Sequence, residues 1–191
     1  MNAGRNRSNS KFPQFTKYGV LPAGDIALTL RELRECPLVT GSHSQSKHWD
    51  VAWRQHLVDN LSVLVRQLWQ VGITDIFIDG SFVEEKDHPN DIDGYFECDL
   101  MQLASGKLED DLNRLDPHQV WTWDPASRQR VPGFDKKQLP MWCQYRVELF
   151  PHYGQPSGIR DPHDNELEFP AAFRLSRSGV PKGIIKIVPD S

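Results

Sequence analysis

The strongest constraint on the fold lies in the stretch IDGSFVEEKDHPNDIDGYFE, residues 78–97. An apolar run ends at Gly80 and Ser81, and nine residues later the chain continues with an Asp-x-Asp pair, Asp91 and Asp93. If this second segment is a strand, both aspartates point to the same side, because alternate residues of a strand share a face. Neighbouring carboxylates repel each other unless a cation lies between them, and a divalent metal ion is the usual one. The stretch therefore predicts two strands joined by a charged loop, with an acidic site where they meet.

The composition indicates one soluble domain with no bias toward a particular partner. The chain has 191 residues, of which 38% are hydrophobic and 25% are charged, and its formal net charge is −4. This length is sufficient for one domain with a proper hydrophobic core. The net charge gives no overall sign of nucleic-acid binding, although a local basic face remains compatible with it.

The same composition favours a cytoplasmic location. No run reaches the roughly 18 apolar residues of a membrane span, and the N-terminus lacks the apolar core of a signal peptide. The three cysteines, Cys36, Cys98 and Cys143, lack the spacing of a zinc site. Scattered cysteines in odd number favour thiols in a reducing compartment. We therefore predict a cytoplasmic protein with no membrane partner.

The chain divides into a polar tail and one folded domain. Residues 1–17 begin with the basic stretch MNAGRNRSNSKF and predict a disordered tail, which leaves 18–191 as a single domain. Apolar residues recur every three or four positions from about 47 to 70, and Arg54 lies off that stripe. This pattern predicts an amphipathic helix that packs on a sheet beginning at Asp75.

The remaining segments mix helices and strands without a βαβ rhythm. We predict a short helix over 27–36, with Thr29 and Glu32 forming a capping box, and a longer helix over 99–115. The other predicted segments are an irregular region over 116–140, a strand over 144–153, a loop over 154–166 and a closing hairpin over 173–188 that turns at Ser178-Gly179. Together they indicate an α+β fold with a small mixed β-sheet flanked by helices.

The Asp-x-Asp pair predicts a metal site. Oxygen ligands suit Mg²⁺, which proteins usually hold with one or two carboxylates together with substrate phosphates. One or two ions at Asp91 and Asp93 would suit in-line phosphoryl displacement, which usually needs a further carboxylate from a neighbouring strand. Glu148, in the next convincing strand, is the best candidate, and the competing acids are Asp79, Glu97 and Asp99. The alternative is that the pair simply caps a strand.

The Gly-Ser pair predicts a phosphate site beside these acids. Gly80 lets the backbone approach a phosphate closely, and Ser81 offers a hydroxyl and an amide N–H. If a helix began there, its free amide groups would add positive potential. Lys86, in the charged loop, is a candidate phosphate ligand; the alternative is an exposed loop lysine.

Two further groups of residues leave alternatives open. Four cations near the closing hairpin form either a phosphate or nucleic-acid face or a charged edge that prevents strand aggregation; they are Arg174, Arg177, Lys182 and Lys186. Aromatic and basic residues interleave over 121–137, which suits either stacking on a base or an RNA end or a loop held by buried tryptophans; they are Trp121, Trp123, Arg128, Arg130, Lys136 and Lys137.

The order strand, Gly-Ser, nine residues, Asp-x-Asp resembles the signature of the nucleotidyltransferase superfamily with the DNA-polymerase-β-like fold. Its small members include minimal nucleotidyltransferases of bacterial toxin–antitoxin modules. The stretches YGVLPAG, DGSFVEEKDHPNDID and RSGVPKGIIKI together are similar to a family of small bacterial nucleotidyltransferase-like proteins of unknown function. The resemblance covers about residues 18–188.

The resemblance implies a short mixed sheet backed by helices and transfer of a nucleoside monophosphate from a nucleoside triphosphate to a hydroxyl, with Mg²⁺ or Mn²⁺. On this chain, Gly80 and Ser81 would hold the triphosphate, and Asp91 and Asp93 would bind metal. No tight motif fixes the third acid, so Glu148 rests on strand order. Acceptor identity does not carry over from the superfamily.

Two functions follow as hypotheses. The first is a nucleotidyltransferase that modifies a protein or RNA hydroxyl, with a cognate protein partner or RNA acceptor in a toxin–antitoxin or defence system. The second is a catalytically degenerate relative that binds a nucleotide or a partner without turnover. A plain interaction protein that docks a partner on its apolar helix stripe is a third possibility.

Overall fold

Strand β2 (Ile76–Asp79) forms the centre of the molecule, and all of its residues are buried. Its sheet also contains β1 (Asp25–Leu28), β3 (Ile92–Glu97), β4 (Val147–His152) and β7 (Ile184–Ile187). The computed structural model describes residues 12–42, 44, 46–161 and 163–190. Within these residues the sheet has five strands in the order β1-β7-β2-β3-β4.

Both strand directions occur in this sheet. β1 runs parallel to β7, and β3 runs parallel to β4, whereas β2 is antiparallel to both of its neighbours. A second, two-stranded sheet is formed by β5 (Pro156–Arg160) and β6 (Glu166–Glu168). The predicted α+β class with a small mixed sheet is therefore confirmed.

The helices lie between these strands along the chain. They are α1 (Leu30–Glu35), α2 (Pro37–Thr40), α3 (Val51–Gln70), α4 (Leu100–Ala104), α5 (Lys107–Leu115), α6 (Pro140–Tyr145) and α7 (Phe169–Ala172). The capping box predicted for α1 is confirmed, since Thr29 and Glu32 exchange backbone and side-chain hydrogen bonds. No helix in the described part of the chain has the length and apolar character needed to cross a membrane.

The two faces of the main sheet bury different sets of side chains. Along β2 and β3, Ile78 and Ile92 belong to the large core that also contains the leucine stripe of α3. The alternate residues Phe77 and Tyr95 belong to a second cluster, against which Phe169 at the start of α7 packs. Because neighbours in a strand alternate between faces, the odd-numbered residues of β2 and β3 lie on the face of the sheet that points away from α3.

The prediction that Arg54 lies off the buried face of its helix was wrong. Arg54 is fully buried, and its guanidinium lies 3.8 Å from the ring centroid of Trp49. Burial lowers the pKa of this guanidinium to about 9. Its N–H groups donate to the backbone carbonyls of Leu38, Phe82, Glu84 and Lys86, at 2.8, 2.8, 3.3 and 2.6 Å. Arg54 thereby ties α3 to the loop between β2 and β3.

Several predicted boundaries differ from the structure because local pattern does not fix tertiary pairing. The helix predicted over 99–115 is two helices, α4 and α5, separated by Gly106 at φ 75°. The strand predicted over 144–153 begins only at Val147, because Pro140 starts α6. The loop predicted over 154–166 contains the paired strands β5 and β6.

The closing hairpin predicted over 173–188 was also wrong. Its turn at Ser178-Gly179 is present, but its first arm forms only the isolated bridge between Leu175 and Pro181. The second arm is β7, which pairs with β1 and β2 instead. Strand β1, part of which had been assigned to the helix over 27–36, completes this edge.

The predicted disordered tail, 1–17, includes residues that are packed. Phe12 and Phe15 are partly buried against the main core, and the amide of Thr16 donates to the carbonyl of Val20. The rest of that prediction, residues 1–11, lies outside the described residues.

We predict that Arg54→Met lowers the free energy of unfolding by about 3 kcal/mol, because buried carbonyls lose their donors. Urea denaturation measures this loss. Arg66→Met is the matched control on the exposed side of the same helix and should change stability by no more than about 0.5 kcal/mol. Equal effects of the two substitutions would contradict the structural role of Arg54.

Candidate functional site

Strand pairing places three carboxylates side by side on one face of the sheet. Asp79 of β2 pairs with Asp93 of β3, and Asp93 pairs with Glu148 of β4. Residues in register on adjacent strands have Cβ atoms about 5 Å apart on the same side of the sheet. Asp91 lies two residues before Asp93 and shares that side. We call Asp79, Asp93 and Glu148 the acid row.

The acid row lies in a large cleft on the face of the sheet that points away from α3. This cleft has a volume of about 1540 Å³. The residues predicted for metal and nucleotide binding all line it, namely Gly80, Ser81, Lys86, Asp91, Asp93 and Glu148. Of the competing acids, Asp79 also lines the cleft. Glu97 instead contacts His152 Nδ1 at 2.8 Å, and Asp99 caps α4 through the amide of Gln102.

Neighbouring groups orient two of these carboxylates. The indole Nε1–H of Trp142 donates to Asp91 Oδ2 at 2.7 Å, and α6 brings this tryptophan to the site. Glu148 Oε1 lies 3.3 Å from the amide nitrogen of Leu139 and 3.4 Å from the guanidinium of Arg128. The sequence analysis missed Trp142, because neither a motif nor a periodicity marks it.

Charge within the acid row is only partly compensated. Burial, followed by repulsion from Asp91, Glu148 and Asp79, raises the pKa of the Asp93 carboxyl to about 8. Burial raises the pKa of Asp79 to about 6 despite an opposing attraction from Lys182. The pKa of Glu148 is also raised, chiefly by burial. A cation bound at the row would relieve this cost.

The Gly-Ser turn is shaped by its contact with the acid row. Residues Gly80–Val83 form a 3-10 turn, so the α-helix start considered from the sequence is absent from this described segment. Gly80 has φ 72°, and a Cβ at this position would overlap Asp93 Oδ2. Only glycine lets the chain turn here so close to that carboxylate.

The interleaved region over 121–137 contributes cations rather than tryptophans to the cleft. Trp121 donates through Nε1 to Gln67 Oε1 at 2.7 Å, and Trp123 donates to the carbonyl of Leu149 at 2.8 Å. Both indoles therefore hold the loop against the core, and the interpretation as a stacking surface was wrong for them. The cleft is lined instead by Arg128, Phe134, Lys136 and Lys137.

The cations near the predicted hairpin separate into two pairs. Arg174 forms an ion pair with Asp25 at 2.7 Å, and Lys186 forms one with Asp75 at 2.6 Å. Arg177 and Lys182 line the cleft instead. Lys182 is buried, with Nζ 2.8 Å from Glu84 Oε1 and 3.1 Å from Asp79 Oδ1.

A family model matches residues 13–188, and its description is Family of unknown function (DUF6932). The chain belongs to this family. The DUF6932 match extends across every segment that lines the cleft. Comparison with curated proteins and with solved structures gave no match.

The donor set suits a divalent cation held jointly with a substrate. Among the described residues, no group of three or more His, Cys, Asp or Glu side chains is arranged around a metal position. Mg²⁺, however, is commonly held by one or two carboxylates, with water and substrate phosphates completing its shell. Asp91 and Asp93 provide such a pair, and the raised pKa of Asp93 indicates that positive charge is in deficit there.

We predict that Asp93→Asn stabilises the metal-free protein at alkaline pH. The pKa of an aspartate in the unfolded chain is about 3.9, whereas burial and the neighbouring carboxylates raise the pKa of native Asp93 to about 8. Between these values the native state binds more protons than the unfolded state, so its free energy of unfolding falls as pH rises. The asparagine variant has no carboxyl that can ionise at this position, so it escapes this loss.

Urea denaturation in EDTA at about pH 5 and about pH 8 measures the difference. Asp110→Asn, at an exposed position on α5, is the control and should follow the wild-type pH dependence. Parallel pH curves for wild type and Asp93→Asn would show that Asp93 carries no unfavourable charge.

We also predict that Gly80→Ala is more destabilising than Gly106→Ala. Both glycines have φ near 75° (72° and 75°), so both variants lose about 1 kcal/mol to backbone strain. A Cβ on Gly106 has no atom within 4 Å, whereas one on Gly80 overlaps the Asp93 carboxylate. The extra loss at Gly80, on the order of 1 kcal/mol, is measured by urea denaturation, and equal losses would contradict the close contact.

Proposed function

We propose that the protein is a metal-dependent nucleotidyltransferase that moves a nucleoside monophosphate from a nucleoside triphosphate to a hydroxyl group. The observation that carries this proposal is the partly compensated acid row beside a Gly-Ser turn in one cleft. Phosphoryl transfer requires positioning of the phosphates and stabilisation of the charge on them. A carboxylate-held divalent cation and a close-approach backbone turn are the groups that supply these two requirements.

Each cleft residue has a role in this proposal. Gly80 and Ser81 hold the triphosphate, and Lys86 neutralises part of its charge. Asp91 and Asp93 would hold Mg²⁺ or Mn²⁺ together with the substrate phosphates, and Glu148 is the candidate for a third carboxylate ligand. The bound ion supplies Lewis-acid stabilisation of phosphate charge. Trp142 keeps Asp91 oriented through its hydrogen bond to Oδ2.

The reaction follows from these positions. The acceptor hydroxyl attacks the α-phosphorus in line, an O–P bond forms, and the P–O bond to pyrophosphate breaks. The hydroxyl proton passes to a carboxylate among Asp91, Asp93 and Glu148.

The size of the cleft supports a second, larger substrate. Its volume of about 1540 Å³ exceeds the range of about 300–1,000 Å³ typical of small-molecule pockets. A nucleotide therefore leaves room for an acceptor, which we propose is a hydroxyl of a protein or of RNA. A toxin–antitoxin or defence role, in the cytoplasm, is proposed on the basis of the superfamily resemblance alone.

A second candidate is a degenerate relative that binds a nucleotide or a partner without turnover. The described residues lack a three-acid group arranged around a metal position, and this observation favours it. Metal-dependent nucleotide binding without transfer to any acceptor distinguishes this candidate from the enzyme.

We predict that incubation of the pure protein with each labelled nucleoside triphosphate, Mg²⁺ and total protein or RNA acceptors yields labelled acceptor. Asp93→Asn should reduce this transfer by at least about 100-fold, because it removes charge needed at the metal. Asp110→Asn, at an exposed position on α5, should leave transfer unchanged. Equal transfer by wild type and Asp93→Asn would refute the proposal, and EDTA should abolish transfer by the wild type.

A further inference from the structure

The segment that precedes α6 is a small basic loop on the wall of the cleft. Gln129 and Gln138 exchange two backbone hydrogen bonds, each at 2.8 Å, and thereby close the segment into a turn. We call residues 128–138 the basic loop. It carries four cations and one acid, although the formal net charge of the whole chain is −4. The cations are Arg128, Arg130, Lys136 and Lys137, and the acid is Asp135.

The two lysines of the basic loop lie beside the acid row but are not neutralised. The guanidinium of Arg128 lies 3.4 Å from Glu148 Oε1 and donates to the backbone carbonyl of Lys137 at 3.2 Å. Both Lys136 and Lys137 line the cleft and are exposed. Within the part of the chain that the structure describes, neither ammonium group forms an ion pair or a hydrogen bond. A negatively charged ligand in the cleft can therefore pair with both.

Phe134 places an aromatic ring among these cations. It lines the cleft and is only partly buried. Its ring packs at 76° to that of Trp142, with 4.7 Å between the ring centroids, and Trp142 holds Asp91 by a hydrogen bond. Grooves that bind single-stranded nucleic acid combine cations, which pair with the phosphates, and aromatic rings, on which the bases stack. The basic loop offers both groups.

The position of the basic loop suits the acceptor and not the nucleoside triphosphate. The Gly-Ser turn follows β2, whereas the basic loop contacts Glu148 of β4, and β3 lies between these two strands. In the proposed reaction the Gly-Ser turn holds the triphosphate, so the loop lies at the opposite end of the acid row. A terminal nucleotide carries a phosphate and a hydroxyl on one sugar, and the lysines can bind the first while the acid row faces the second. A serine or tyrosine hydroxyl of a protein brings no such phosphate.

We propose that the basic loop binds single-stranded nucleic acid through Lys136, Lys137 and Phe134, and that the terminal sugar hydroxyl of this strand is the acceptor. The inference rests on the proposed nucleotidyltransferase function and names its acceptor. The hydroxyl oxygen forms the new O–P bond to the α-phosphorus, pyrophosphate leaves, and the hydroxyl proton passes to a carboxylate of the site. The strand thereby gains one nucleoside monophosphate.

The test measures binding by fluorescence anisotropy, in EDTA and without nucleoside triphosphate, of labelled RNA and DNA single strands of about 12 nucleotides. The full-length protein should bind at least one of them. Replacing both lysines, Lys136→Gln with Lys137→Gln, should weaken binding at least about 10-fold and reduce the slope of log K against log salt concentration by about 1.4, since each phosphate contact on a single strand contributes about 0.7. Replacing two exposed arginines outside the cleft, Arg31→Gln with Arg66→Gln, removes the same charge and should leave both quantities unchanged.

Phe134→Leu tests the aromatic contact. It should weaken binding roughly 5-fold or more with the salt slope unchanged, because stacking on a base involves no charge. A strand that lacks bases should bind the wild type equally weakly, which tests the same contact without a substitution.

The inference is overturned by absence of binding of either strand, by equal binding to the lysine and arginine double variants, or by equal binding of strands with and without bases. Polyglutamate that binds as tightly as nucleic acid would assign the loop to an acidic protein and overturn it as well. Strand binding by the wild type without label transfer in Mg²⁺ would refute the proposed function and the acceptor role but leave the binding surface standing. Label transfer to protein alone, with no strand binding, would overturn the inference and leave the proposed function standing.

Discussion

The site depends on one electrostatic constraint, which is that backbone pairing holds like charges next to each other. Asp79, Asp93 and Glu148 occupy successive strands in register, so their separation is set by the spacing of the strands and not by their own repulsion. The hydrogen bonds of three strands outweigh the unfavourable proximity of the carboxylates. The consequence is a raised pKa at Asp93 and an affinity for positive charge that is built into the sheet. Lys182 lies beside Asp79 at one end of the row and Arg128 beside Glu148 at the other, whereas the pKa of Asp93 between them stays raised.

The parts of the site that the sequence predicts are those set by short-range geometry. The alternation of a strand is enough to place Asp91 and Asp93 on one side, and the turn requirement is enough to place Gly80 beside them. The position of Glu148 in the site is a less direct inference, because it required the assumption that the strand after the irregular region 116–140 lies next to β3. That assumption agrees with the observed pairing. Its metal-binding role stays a prediction.

The parts that sequence reasoning missed are set by contacts between distant segments. Trp142 reaches Asp91 only because α6 precedes β4 at the same edge of the sheet. The periodicity of α3 gave no sign that Arg54 is buried, since a stripe of apolar residues cannot reveal carbonyl groups of a loop elsewhere in the chain. Lys182 was considered only as a surface cation, and its burial between two acids follows from the insertion of β7 between β1 and β2.

That insertion has a consequence for how the molecule is assembled. Asp25 pairs with Ile184, so β1 has no neighbour in the sheet until nearly all of the described chain has been synthesised. Pairings between such distant residues form slowly, because a long loop must close before any contact compensates for its entropy. A nascent chain that has emerged only through β4 already carries the three carboxylates but lacks their lysine. The segment that completes the sheet with β7 also contains Lys182, so the acid row gains its buried counter-ion only when the last strand joins the sheet.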